Sequence, residues 1–161
     1  MQSDVSRSAN SAMPVFFSSM PLPPRFSSGT DSSKAVAALR PLLTPNQGGR
    51  WTLTADGEGL ERSFKFKTFG KTWDFMNAVA TECQKMKHHP EWSNVYNTTY
   101  IRWTTHSPKG LSEKDLDMAA ICDALAKDHG EIASDESNAD MASLASEATA
   151  IAGDCCVPKK K

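Results

Sequence analysis

The chain has 161 residues and a formal net charge of -1, which suits one ordinary domain carrying tails. The near-neutral balance excludes a basic field over the whole molecule, and with it direct binding to nucleic acid, and no apolar run approaches membrane-spanning length. Four cysteines, Cys83, Cys122, Cys155 and Cys156, form no Cys-x-x-Cys pair, so a zinc knuckle is disfavoured and free thiols in a reducing compartment are expected.

Residues 1–33 are rich in serine, contain Pro21, Pro23 and Pro24, and carry only Asp4 and Asp31 as acids. That composition offers too little apolar surface to offset chain entropy. It fits a disordered extension or an acid-poor transit peptide with Arg25-Phe26-Ser27-Ser28 as a processing site, so the compartment is cytoplasmic or, through this extension, an organelle. Residues 34–43 read as a short helix with Val36, Leu39 and Leu43 on one face, Ser33 as cap and Pro41 limiting its length.

Residues 50–54 form an expected strand, Asp56-Gly57 a hairpin turn, and residues 60–68 a second strand in which Phe64-Lys65-Phe66-Lys67 alternates. A helix is predicted over residues 71–87, with Trp73, Met76, Ala80 and Cys83 on one face and Phe75, Val79 and Met86 flanking it. Pro90 ends that pattern and biases His89 away from helix. Residues 92–106 are strand-like, with a break near Asn97-Thr98. Val95, Asn97, Thr99, Ile101 and Trp103 point one way, and Arg102, on the other side, reads as a solvated edge residue.

Ser112-Glu113-Lys114-Asp115 resembles a capping box. The helix it opens runs through Leu116, Ala119, Cys122 and Leu125 to a stop at Gly130. Residues 131–156 carry six acids and no base. Met141, Leu144, Ala148 and Ile151 make a weak helical stripe in what is otherwise a flexible acidic tail.

Helix, two strands, helix, two strands, helix is an α+β order. It predicts a two-layer fold in which a four-stranded antiparallel sheet is covered on one face by helices. The domain is expected at residues 34–130, between an N-terminal extension (1–33) and the acidic tail (131–161).

Three of the four histidines belong to one region. His88 and His89 follow the long helix and His106 ends the last strand, so one pocket can hold all three. Imidazole titrates near neutral pH and can act as acid or base. A dehydration needs both, an acid for the departing hydroxyl and a base for a neighbouring proton. Three imidazoles are also a zinc ligand set, although no acid or cysteine stands at a matching spacing.

His88-His89-Pro90-Glu91-Trp92, then Asn94-Val95-Tyr96-Asn97, Thr105-His106 and Gly110-Leu111-Ser112 through Asp115, resemble the signature of the pterin-4a-carbinolamine dehydratases over residues 35–130. The resemblance implies a lyase that dehydrates 4a-hydroxytetrahydrobiopterin to quinonoid dihydrobiopterin in tetrahydrobiopterin recycling, with neither metal nor cofactor. It places His88, His89 and His106 as the catalytic histidines, with His89, Pro90 and Trp92 against the pterin. Asp115 matches the family's acidic residue, and its place in the capping box supplies a structural reason as well. Gln84 stands where the family favours an ionisable residue. Tyr96, Trp92 and Trp103 either stack on the pterin or fill the core, with core expected for Trp103. The implied partners are a pterin, further copies of the chain in a homodimer or homotetramer, and, in a non-catalytic alternative, a homeodomain transcription factor that uses the protein as a dimerisation cofactor.

Overall fold

The structure, a computed structural model, describes residues 22–132 and 139–152. In chain order it runs α1 (Ser32–Leu43), a 3-10 turn (Pro45–Gln47), β1 (Thr52–Leu53), β2 (Leu60–Lys65), α2 (Phe69–Met86), β3 (Glu91–Val95), β4 (Thr98–Trp103), β5 (Thr105–His106), β6 (Lys109–Gly110), α3 (Glu113–Asp128) and α4 (Ala139–Ala152). The first four strands make one antiparallel sheet in the order β1-β2-β4-β3, and β5 and β6 form a separate hairpin. The α+β class and the four-stranded sheet are as the sequence predicts.

Alternation sorts the sheet into two faces. Leu60 pairs with Trp103, Phe64 with Thr99 and Trp92 with Ile101, which puts the apolar members on one side. There Leu60, Phe64, Ile101 and Trp103 are fully buried, under Leu39 of α1, Phe75 and Val79 of α2, and Leu116, Ala119 and Cys122 of α3. Each such side chain is worth roughly 2 kcal/mol of transfer free energy. Phe75 is the centre of this packing, with its ring 4.9 Å from Phe64 and 5.0 Å from Phe66.

The helices differ from expectation in which stripe they bury. In α2 the fully buried residues are Thr72, Phe75 and Val79, so the expected flanking residues Phe75 and Val79 lie at the centre, while Met76, Cys83 and Met86 pack partly buried beside them. Two stripes one residue apart both satisfy the helical period, and the sheet selects the one whose aromatic ring meets Phe64 and Phe66. Trp73 is left 51% exposed, stacked on Phe69. In α1 the buried set is Ala35, Leu39 and Leu42. Its cap is Asp31 rather than Ser33: the Asp31 carboxylate accepts from the backbone N–H groups of Ser33 and Lys34 at 3.0 and 3.1 Å. Burial pushes the thiol of Cys83 up to about 11 and raises that of Cys122 as well.

Contacts with the expected domain, residues 34–130, are made from beyond both of its ends. At the N-terminal side, Ser27 N–H donates to the Leu111 carbonyl at 2.8 Å and Leu111 N–H to that of Arg25 at 2.9 Å. Gly110 makes this possible: its φ is +126°, and a Cβ there would lie 2.7 Å from Ser27 N. At the C-terminal side, Glu131 accepts two hydrogen bonds, at 2.6 and 2.7 Å, from Arg62, and Ile132 N–H donates to the Lys65 carbonyl at 2.9 Å. Of the expected extension or transit segment, residues 1–33, residues 1–21 lie outside the described residues, as do Cys155, Cys156 and the terminal lysines.

Arg62 explains why Glu131 matters. Its place opposite Ile101 puts a guanidinium on the apolar face, where it is 3% exposed. Asp123 and Glu131 pair with it, and Arg50 also reaches Glu131. Burial raises the Asp123 carboxyl above its ordinary range, against the pull of Arg62 and of Trp51. Trp51 donates its indole N–H to Asp123 at 2.8 Å.

The opposite face of the sheet carries Glu61, Tyr100, Arg102, Glu91 and Ser93, and α4 lies across it. Ser93 donates to the Met141 carbonyl at 2.9 Å and Arg102 to the Ser146 hydroxyl at 3.2 Å. Tyr100 is fully buried on this face. Arg102, expected as a solvated edge residue, is held inside a central strand between Glu61 and Glu91.

Removing one partner of a buried ion pair strands the other charge and typically costs about 3–5 kcal/mol. Glu131→Ala should therefore lower unfolding free energy by about 3 kcal/mol in urea titration, with truncation after Gly130 costing as much. A loss below about 0.5 kcal/mol in both proteins would mean that the Arg62 charge is satisfied without Glu131.

Candidate active site

α2 ends in a left-handed residue, Lys87, with φ 50° and ψ 48°. The N–H groups of Lys87 and His88 both turn back to the Cys83 carbonyl, the latter at 3.1 Å. That reversal throws His88 and His89 off the helix toward the sheet. Pro90 follows, and β3 begins at Glu91, opposite Arg102 of β4. The residues just before Glu91 and just after Trp103 therefore share one end of the sheet, and His88, His89 and His106 meet there.

The rings form a short series. His88 lies over Trp103, with centroids 5.5 Å apart and planes 25° apart. The His88 and His89 centroids are 6.5 Å apart, and those of His89 and His106 are 6.3 Å apart with planes at 24°. The His88 side chain is 13% exposed and that of His106 32%, while His89 is exposed.

His88 and His106 each face a carboxylate. His88 Nε2 donates to Asp115 Oδ1 at 2.6 Å. Asp115 is wholly buried, and its Oδ2 meets the Thr105 hydroxyl at 2.7 Å, the Ser112 backbone N–H at 2.7 Å and the Ser112 hydroxyl at 2.9 Å. One carboxylate thus closes the capping box of α3 and holds a histidine. His106 Nε2 lies 3.3 Å from Glu91 Oε1.

A polar chain continues behind Glu91. Its Oε2 is 3.3 Å from Arg102 Nη1. The Arg102 guanidinium also reaches Glu61 Oε2, at 3.2 Å from Nη2 and 3.3 Å from Nε, and Tyr100 donates to the same oxygen at 2.7 Å. Burial disfavours the Arg102 cation, but Tyr100, Glu61 and Glu91 together outweigh it and raise its pKa. Burial and the neighbouring Glu61 raise that of Tyr100, which stays a donor.

A cavity of about 180 Å³ opens between Lys87, His88, His89 and the Thr104–Ser107 segment. A second, of about 410 Å³, adjoins His88 on the side of Thr30, Ser112 and Lys114. A third, of about 610 Å³, lies between the outer sheet face and α4 and shares only Thr104 and His106 with the first. Of these cavities the smallest is the one lined by all three imidazoles.

Of the residues expected against a ligand, His89 lines the small cavity, whereas Pro90 and Trp92 line none of these three. Trp92 packs half-buried against the core. Trp103 is core and also the surface under His88. Tyr96, with φ 49°, is exposed at the turn between β3 and β4. Gln84 is exposed on α2, one turn before His88, and His88 takes its carboxylate from α3 instead. Among the described residues no group of three or more His, Cys, Asp or Glu side chains stands so as to hold a metal ion.

Glu91 and Thr105 stand in the motif and Arg102 reads from the sequence as a solvated edge residue, but none of the three was assigned to the site. Glu91 sits in the His-His-Pro-Glu-Trp run, but its partner follows only from the register that sets it opposite Arg102.

Fold and site together define a small α+β protein with a histidine-lined cavity at one end of its sheet. The family model for pterin 4 alpha carbinolamine dehydratase matches residues 31–125, and the chain belongs to that family. A protein of Novosphingobium aromaticivorans, provisionally named pterin-4-alpha-carbinolamine dehydratase, is 49% identical over 75 residues, which is 47% of this chain and 78% of that protein. One of Rhizobium meliloti, named in the same way, is 42% identical over 77 residues, 48% of this chain and 74% of its own. The crystal structure of a transcriptional coactivator/pterin dehydratase from Brucella melitensis superposes with a TM-score of 0.52 at 38% identity, covering 58% of this chain and 94% of that one.

Asp115→Ala would leave the Ser112 N–H without its acceptor, at roughly 1–3 kcal/mol for such a buried group. Asp115→Asn retains an acceptor oxygen for the cap. Denaturant titration should find the alanine protein less stable than the asparagine protein by about 1 kcal/mol or more. Equal stability would mean that the cap does not depend on this side chain.

Proposed function

We propose that the chain dehydrates a 4a-hydroxytetrahydropterin, 4a-hydroxytetrahydrobiopterin in its fullest form, to the quinonoid dihydropterin. The supporting observation is the convergence of three imidazoles on one small cavity, with His88 and His106 each facing a carboxylate. In the reaction the C4a–O bond breaks and the hydroxyl leaves as water with a proton from the acid. The base removes the proton of the adjacent ring nitrogen, whose electrons form the new C=N bond. His88 and His106 are the proton-transfer pair, and His89 positions the pterin. No net redox change occurs, so the chemistry asks for proton donors and acceptors alone.

The test is turnover of a synthetic 4a-hydroxypterin, followed by ultraviolet absorbance. His88→Ala and His106→Ala should each reduce it by ~10² or more, the usual worth of a positioned acid or base. Near-normal rates in both would remove the mechanism. Turnover should also survive dialysis against a chelator; its loss and recovery with zinc would favour a metal-dependent hydrolase.

A second reading, a dimerisation cofactor for a homeodomain transcription factor, draws on the coactivator role named for the Brucella melitensis protein. The exposed, stacked Phe69 and Trp73 on α2 give such a partner an apolar surface. Histidine substitutions would then leave partner binding intact. The assembly expected with either reading is a homodimer or homotetramer, because β3 is an edge strand with backbone groups able to pair with another copy. Light scattering at micromolar concentration should show it, and a monomer there would contradict it. Among the described residues no helix is long and apolar enough to cross a membrane, and a cytoplasmic location is part of this reading.

A further inference from the structure

We propose that Glu91 is the positioning residue of His106, and that it selects the ring nitrogen through which His106 exchanges its proton. The inference rests on the histidine mechanism proposed above. An ionised carboxylate only accepts hydrogen bonds. Glu91 Oε1 stands 3.3 Å from Nε2, an ion-pair contact, and its negative charge favours the neutral tautomer that carries the proton on Nε2. Nδ1 is then the one ring atom left to take a proton from the substrate or, in the charged ring, to deliver one.

Glu91 is itself held. Arg102 Nη1 lies 3.3 Å from its second oxygen, and Glu61 fixes the guanidinium from the other side. The Glu91 side chain is 11% exposed, so little water competes for it. Lys109, across the β5–β6 pair from His106, is taken up by Glu58 at 2.5 Å and does not compete for Glu91. His88 and Asp115 form the equivalent pair on the other side of the cavity, but Asp115 also accepts from α3's cap. Glu91 caps no helix, and its other partner, Arg102, keeps its bonds to Glu61 when Glu91 is replaced.

Arg102 makes the consequence of Glu91→Gln specific. A guanidinium only donates, so the new carboxamide must turn its oxygen to Arg102 and its NH₂ to His106. Nε2 then has to accept, and the proton moves to Nδ1. The isosteric change therefore reverses the tautomer and withdraws the catalytic lone pair while preserving shape and packing. Glu91→Asp keeps an acceptor-only group and should keep the native tautomer.

The experiment uses the full chain labelled with ¹⁵N-histidine and long-range ¹H–¹⁵N correlation above the imidazole titration range. Native His106 should show a protonated Nε2 and a pyridine-like Nδ1, and Glu91→Gln should show the reverse. In parallel, kcat should fall about tenfold or more in Glu91→Gln, up to the ~10² carried by the imidazole itself, with KM changed less than about threefold. Glu91→Asp should retain the native pattern and most of kcat. A native His106 protonated at Nδ1, or a Glu91→Gln protein with the native pattern and native kcat, would overturn the inference. The first of these is read on the unmodified protein, so it stands even if a variant does not fold. Tautomer reversal in a protein that turns over no carbinolamine would support the role of Glu91 and overturn only the functional reading.

Discussion

The Asp115 carboxylate ties the architecture to the site. Its two oxygens serve two masters: Oδ2 completes the capping box that starts α3, and Oδ1 holds His88. The start of α3 is fixed by Gly110-Leu111, which is in turn bonded to Arg25 and Ser27. A shift of α3 along its axis would carry Asp115 away from His88, so the core packing of Leu116, Ala119 and Cys122 and the orientation of an imidazole are one constraint. The carboxylate is buried with every partner in place, which is the condition under which a buried charge is tolerable.

The second constraint is the β3–β4 register. It pairs Glu91 with Arg102 and brings the His88–His89 turn beside the Thr105–His106 hairpin. A slip of one residue would move Trp92 to the outer face and Glu91 into the apolar core. The apolar pairs Trp92–Ile101 and Leu60–Trp103 therefore protect the site's geometry although they carry no chemistry. The Lys87 reversal completes the arrangement by turning the chain through a left-handed residue just before the first histidine.

The fold was legible in the sequence because period and punctuation agreed: Phe64-Lys65-Phe66 alternates, Asp56-Gly57 turns, Pro90 breaks and Ser112–Asp115 caps. The buried stripe of α2 was not, since Phe75-Val79 and Trp73-Met76-Ala80 fit the same helical period and only the sheet's aromatic rings decide between them. His88, His89, His106 and Asp115 were legible through their motif. Glu91 and Arg102 were not, because an acid in one strand and a base in the next become partners only once the register is known. Arg62 hid for the same reason. Its position on the apolar face follows from alternation, yet an arginine there makes sense only when Glu131 arrives from beyond the end of α3.

α4 lies outside residues 31–125, the part matched by the family model, yet its Ser146 touches Arg102, which touches Glu91. Lineages that gain, lose or rewrite this appendage would keep every motif residue and still alter the surroundings of His106. Comparative genomics restricted to the signature would then group as equivalent proteins whose active sites have different outer walls. In this fold divergence in specificity can be sought in a helix that no motif search would include.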